Sequence, residues 1–168
     1  MANNHSVAIG THACFWNVDA LNLVGIAAAD IDNGRFVALG DIAKSATTDV
    51  LDEYVFTVAV GANNDYIVLT PPQGYGIEAA LYADPRYFTN EAGKPMSVKR
   101  LMIGDCIEVS KDCFSTAPTA GTSTHASVDA NGKLVASTTN TDAFKILAAH
   151  NFDIGGAQVE SWILMKLK

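Results

Sequence analysis

Val98–Phe114, VKRLMIGDCIEVSKDCF, is the stretch whose reading decides the fold class. In Lys99-Arg100-Leu101-Met102-Ile103 and again in Ile107-Glu108-Val109-Ser110, apolar and polar residues partly alternate. A two-residue period sends alternate side chains to opposite faces of a strand, one set inward and one outward. Gly104-Asp105 lies between the two runs, where a bend or bulge needs a residue tolerant of unusual backbone angles. The stretch therefore reads as two short strands broken by a turn. It is architecture, and no recognisable catalytic motif lies in it.

The same reading extends upstream. In Leu21–Leu39, Asp32-Asn33-Gly34 separates Val24–Ala28 from Arg35–Leu39, and Asn-Gly supplies the positive φ angles of a tight turn, so a β-hairpin is expected. Asp30, Asp32 and Asn33 cluster there, but an EF-hand needs liganding residues at alternate positions, a glycine at the sixth and a distal glutamate, and that spacing does not hold. Tyr54–Val60 and Tyr66–Thr70 read as two further strands, turned by Gly61–Asp65 and expected to pair antiparallel. Asp41–Glu53 reads as a loop or short helix. His5–Val18 has β-branched and aromatic residues without a clean period and reads as a first strand or an extended arm that docks on a neighbouring subunit.

Pro71–Pro95 holds four of the five prolines, which break the preceding strand and disfavour helix, so it is expected to be a long loop. Long loops carrying aromatic residues are often functional. Tyr75, Tyr82, Tyr87 and Phe88 either form a contact surface for a partner or fold back over the end of the fold. Downstream, Ser115–Ser127 contains no large aliphatic residue and reads as an exposed loop. Val128–Val135 gives a second Asn-Gly hairpin. Phe144–Leu147 reads as a buried strand, and Val159–Leu167 as a closing strand with both faces largely covered.

A chain of 168 residues fits one domain and buries roughly 70% of its unfolded surface. Residues 1–18 are its possible N-terminal arm and 71–95 its long loop. The net charge of −7 argues against nucleic acid as a partner, because that affinity rests on clustered Lys and Arg. No apolar run approaches the ~20 residues of a membrane span, so a membrane partner is not expected. The N-terminal MANNHSVAIG does not look like a secretory signal, and folding in a cytoplasm is expected. Cys14, Cys106 and Cys113, odd in number and irregularly spaced, suit reduced, buried thiols better than a disulfide framework.

Chemistry-bearing constellations are sparse. No G-x-S-x-G occurs, and no family signature surrounds the cysteines that could pair with His5, His12, His125 or His150. Zinc would draw on His12-x-Cys14 with Cys106 or Cys113, but the Cys-x6-Cys spacing is wider than a ligand knuckle and no second pair completes it. Gly155-Gly156 and Gly74-Tyr75-Gly76 lack the setting of a phosphate cradle. The carboxylates Asp49, Asp52 and Glu53 read as a solvated polar face. No catalytic residue, metal ligand or cofactor is assigned, and the expectation is a protein that is not an enzyme.

Four features together resemble the capsid decoration, or cement, proteins of tailed bacteriophages: Ile31-Asp32-Asn33-Gly34-Arg35-Phe36-Val37, Gly104-Asp105-Cys106-Ile107, the Asp129–Val135 hairpin, and the hydrophobic strands that close the chain over 144–167. The resemblance implies an all-β fold, an antiparallel β-barrel or β-tulip-like sandwich with long loops and at most one or two short helices. It implies a homo-oligomer, with a trimer favoured, on the outside of the assembled head, where it clamps neighbouring major capsid subunits. The contacts expected on this reading come from the arm, with His12, Phe15 and Trp16, and from the loop, with Tyr75, Tyr82, Tyr87 and Phe88. A tail or baseplate component and a carbohydrate- or host-surface-binding β-module, with exposed tyrosines as stacking platforms, are the alternatives.

Overall fold

The computed structural model describes residues 5–8, 22–43, 55–72, 84–154 and 157–168. The protein is all-β, as the alternating patterns predict. Among the described residues there is no α-helix, only one 3-10 turn at Lys111–Cys113. The first five strands are β1 (Asn22–Ala27), β2 (Val37–Ile42), β3 (Val55–Val60), β4 (Tyr66–Val68) and β5 (Pro95–Arg100). They form one sheet in the order β2-β3-β1-β5-β4. The remaining strands are β6 (Cys106–Ser110), β7 (Phe114–Thr116), β8 (His125–Val128), β9 (Leu134–Ser137), β10 (Phe144–Ile154) and β11 (Ala157–Lys166). Their order is β6-β11-β10-β8-β9-β7.

Both sheets are mixed rather than antiparallel, because β1 runs parallel to β3 and β7 parallel to β9. Nor is the fold a closed barrel. The five-stranded sheet curls until β4 meets the chain just ahead of β2, where Phe36 bridges Ile67, Val68 N–H donates to Arg35 O and Gly34 N–H donates to Val68 O. The curl encloses a small core of Ala27, Ile31, Val37, Val58, Val68, Met96 and Val98. A larger core lies on the inner face of the six-stranded sheet, including Ile107, Val109, Phe144, Trp162 and Leu164, and the other sheet contributes Phe36, Ile67 and Leu101 to it. The two-layer arrangement is that of a β-sandwich.

The Val98–Phe114 stretch does form two strands, but they belong to different sheets. β5 ends at Arg100, Gly104 takes φ 93°, and β6 begins at Cys106 in the other layer. Asp105, fully buried, fixes the crossing: its Oδ2 accepts the Met102 N–H at 2.8 Å, and its carbonyl accepts the Lys166 N–H at 2.9 Å. Lys166 Nζ, also buried, donates to Leu101 O and to Asp65, tying β11 to the five-stranded layer.

The hairpin expected over 21–39 does not form. The Asp32–Arg35 turn is present, with Gly34 at φ 82°, but its two arms do not pair with each other. β1 sits in the centre of the sheet with both edges taken, by β3 and β5, so it has no free edge to offer β2. Longer-range partners hold the turn. Ile31 and Asn90 exchange backbone hydrogen bonds, and the buried Asn33 side chain pairs with Thr70 as a strand would, Oδ1 accepting Thr70 N–H and Nδ2 donating to Thr70 O.

The same competition undoes the expected β3–β4 pairing. β3 is flanked by β2 and β1, and β4 pairs with β5 instead, with Tyr66 opposite Arg100. The second Asn-Gly hairpin does form: Val128 lies opposite Leu134, and Asp129 Oδ1 accepts the N–H groups of Asn131 and Lys133. The expected Ser115–Ser127 loop is shorter than its composition suggested. Its ends belong to β7 and β8, and Ala126, fully buried, packs where only a small side chain was needed.

Candidate docking surface

The register of the curled sheet defines its outer face. Residues that alternate with the inner core place Asn22, Val24 and Ile26 of β1 outward, beside Val55, Thr57 and Ala59 of β3. Ala38 of β2 lies opposite Ala59, and Pro95, Ser97 and Lys99 of β5 lie opposite β1. Lys99 is the only ionisable side chain among them, and it is buried at one margin with Nζ donating to Asn22 Oδ1 at 3.1 Å. The centre is lined by small, solvent-facing residues: Ala38, Gly40, Thr57 and Ala59 are exposed, and Val24 is 41% exposed. Solvent-facing sheets ordinarily carry charge on their open face. This one does not.

A second open feature is the middle of β10. Its pairing with β8 covers only Phe144 and Lys145, extended by one hydrogen bond from Ile146 N–H to Thr124 O. From Leu147 to Asn151 every residue is exposed, and among the described residues nothing pairs with that edge.

The residues singled out from sequence fall in two groups. His12, Phe15, Trp16, Tyr75 and Tyr82 lie outside the described residues, as do Cys14 and Asp49, Asp52 and Glu53. Tyr87 is half-buried with the Arg86 guanidinium 5.9 Å from its ring centre, and Phe88 is buried. Arg86 is forked onto Asp84, whose carboxyl it holds below the usual carboxylate range through that side-chain hydrogen bond. Of the arm, His5–Ala8 is described, and it folds onto its own chain. Ala8 bridges Val109, Ser110 N–H donates to Val7 O, and Val7 N–H donates to Ser110 Oγ.

Sequence reading missed one cluster of catalytic residue types. The pairing of β6, β11 and β10 puts Glu108, Ser161 and His150 side by side on the outer face of the six-stranded sheet. Glu108 Oε1 accepts from Ser161 Oγ and from His150 Nδ1, each at 2.6 Å. A nucleophile relay needs the serine on the imidazole and open to an electrophile. Here Ser161 bonds to the carboxylate and to His150 O, and has no exposed surface, so the cluster satisfies a buried carboxylate. Only the strand register could have revealed it, because the three residues are far apart in the chain. The carboxylates of the Asp30–Asn33 cluster are tied down likewise: Asp30 Oδ1 accepts Ala92 N–H, and Asp32 accepts from His5 and from Ser6 N–H.

The chain matches no known protein family, and neither a curated protein nor a solved structure is significantly similar to it.

Proposed function

We propose that this protein is a non-enzymatic structural component of a phage virion that binds the outer surface of the assembled head and stabilises contacts between major capsid subunits. The observation that carries this reading is the uncharged centre of the curled sheet's outer face, built from Val24, Ala38, Gly40, Thr57 and Ala59. Charged residues are depleted from the cores of protein interfaces, and a face of small side chains lets a partner's backbone approach closely. On a symmetric shell each copy's modest contact is repeated, so a homo-oligomer, with a trimer favoured, gains by multivalency what a single patch lacks. The partner on this reading is the major capsid protein, and the location is the capsid exterior.

Co-sedimentation of the purified protein with empty mature heads tests this, with native mass measured by analytical ultracentrifugation. The expected result is saturable binding at a fixed copy number per capsomer, weakened about tenfold or more, some 1.4 kcal/mol per site, by Val24→Glu or Ala59→Glu. Both positions are solvent-facing, so the variants should keep the parent's melting temperature. Absence of binding by the well-folded oligomer would overturn the head assignment, and binding indifferent to both substitutions would overturn the role of this face.

A further inference from the structure

A cleft of about 440 Å³ opens where the His5–Ser6 segment, the Asp30–Arg35 turn, Thr89 and the tip of the β8–β9 hairpin converge. We propose that it is a binding site for a neutral polyhydroxylated ligand, a mono- or disaccharide. This is independent of capsid docking and uses none of the outer-face residues.

The polar groups of the cleft are of both kinds and are held in place. Asp30 is fixed by Ala92 N–H to Oδ1 at 2.8 Å. Asp32 is fixed by His5 Nδ1 at 2.8 Å and Ser6 N–H at 3.3 Å. Each carboxylate still has acceptor capacity, because two oxygens offer about four lone-pair directions. Opposite in character is Arg35, whose guanidinium lies in the field of the Asp129 carboxylate and, among the described residues, makes a single long hydrogen bond, Nη1 to Asn131 O at 3.4 Å. A guanidinium carries five N–H donors in a fixed fork, so most of them remain for a ligand or for water.

This combination selects among ligand classes. A phosphate or carboxylate drawn to Arg35 would meet Asp30 and Asp32, and a cation drawn to the carboxylates would meet Arg35. Among the described residues no group of three His, Cys, Asp or Glu side chains is placed to hold a metal ion. A sugar hydroxyl both donates and accepts, so a vicinal diol can give its protons to a carboxylate while its oxygens receive the guanidinium fork. The 43%-exposed Val60 offers the apolar contact that the C–H face of a pyranose needs. The volume falls at the small end of the ~300–1,000 Å³ range of ligand clefts.

The test is an amide-shift NMR titration of the folded full chain with methyl α-glycosides of glucose, galactose, mannose and rhamnose and with N-acetylglucosamine, up to high millimolar concentration. Sodium phosphate and glycine serve as anionic and zwitterionic controls. The expected result is saturable, localised shifts at Asp30–Arg35, Thr89 and Asn131 with at least one sugar. Asp30→Asn and Arg35→Met should each weaken binding about tenfold, and the exposed Asp30 should leave the melting temperature unchanged. Shifts by phosphate or glycine in place of sugars would overturn the ligand class. Absence of any localised shift, or sugar binding unaltered in Asp30→Asn and in a folded Arg35→Met, would overturn the site.

Discussion

Cys113 sits at the junction of three segments, its thiol fully buried, donating to Val7 O at 3.4 Å and lying 3.9 Å from Ser110 Oγ. Burial pushes its pKa up from 9.0 to about 11, because a thiolate there would lose its hydration without gaining a full charge partner. The consequence for stability has a definite sign. Between those two values the unfolded chain has released the thiol proton and the folded chain has kept it, so stability falls as pH rises through that window. The cost, two pH units of linkage, is about 2–3 kcal/mol. Urea midpoints of the wild type and of Cys113→Ala, measured from pH 8 upward, should converge as the alkaline penalty erodes the parent. A constant offset between the two curves would contradict the buried, neutral thiol. The sequence reading of the cysteines as small apolar side chains was correct for this residue, because burial of a lone thiol needs no partner to be legible. The Glu108–Ser161–His150 cluster was not, since its members meet only through the register of β6, β11 and β10.

Among the elements, the two Asn-Gly turns show where local chemistry decides structure and where it does not. Both turns form, with Gly34 at φ 82° and Gly132 at φ 67°. Only the second joins paired strands. Turn residues specify a reversal of direction, but strand partners are chosen by which arrangement satisfies both edges of each strand. β1 and β3 each find two neighbours elsewhere. Strand positions were thus readable from alternation and turn signals, and sheet membership was not. The β8–β9 turn also has a tertiary role, since Phe36 N–H donates to Gly132 O at 2.9 Å, and a Cβ on Gly132 would lie 2.2 Å from Phe36 O. Gly93 shares the left-handed backbone, φ 72°, but a Cβ there meets nothing within 4 Å. Gly93→Ala should therefore cost only the left-handed penalty of about 1–2 kcal/mol. Gly132→Ala should add about 1–3 kcal/mol for displacing the backbone it abuts. Equal losses in thermal unfolding of the two variants would show that the hairpin tip is not locked against residue 36.

For the whole molecule, the wall between the two cores is built by alternation across one pair of adjacent residues on each of two segments. Phe36 faces the core of the six-stranded sheet and Val37 the interior of the curled sheet, and Ile67 and Val68 repeat the division across the Phe36–Ile67 bridge. Each adjacent pair of this wall therefore contributes to both cores at once, one side chain to each. The buried Lys166 bonds to Leu101 O and Asp65 cross the same boundary. A chain stitched this way cannot release one sheet while keeping the other, so unfolding should be a single transition. Phe36 is completely buried with its ring 5.3 Å from that of Phe144, and truncating such a side chain costs about 3–5 kcal/mol. At roughly 2–4 °C per kcal/mol for a domain of this size, Phe36→Ala should melt about 6–20 °C below the parent. The sharper readout is native-state hydrogen exchange. The most protected amides of β1 and β3, in the curled sheet, and those of β10 and β11, in the other, should lose the same opening free energy. If β10 and β11 lose protection in Phe36→Ala while β1 and β3 retain theirs, the two sheets are separate folding units, and the shared wall is contact without cooperativity.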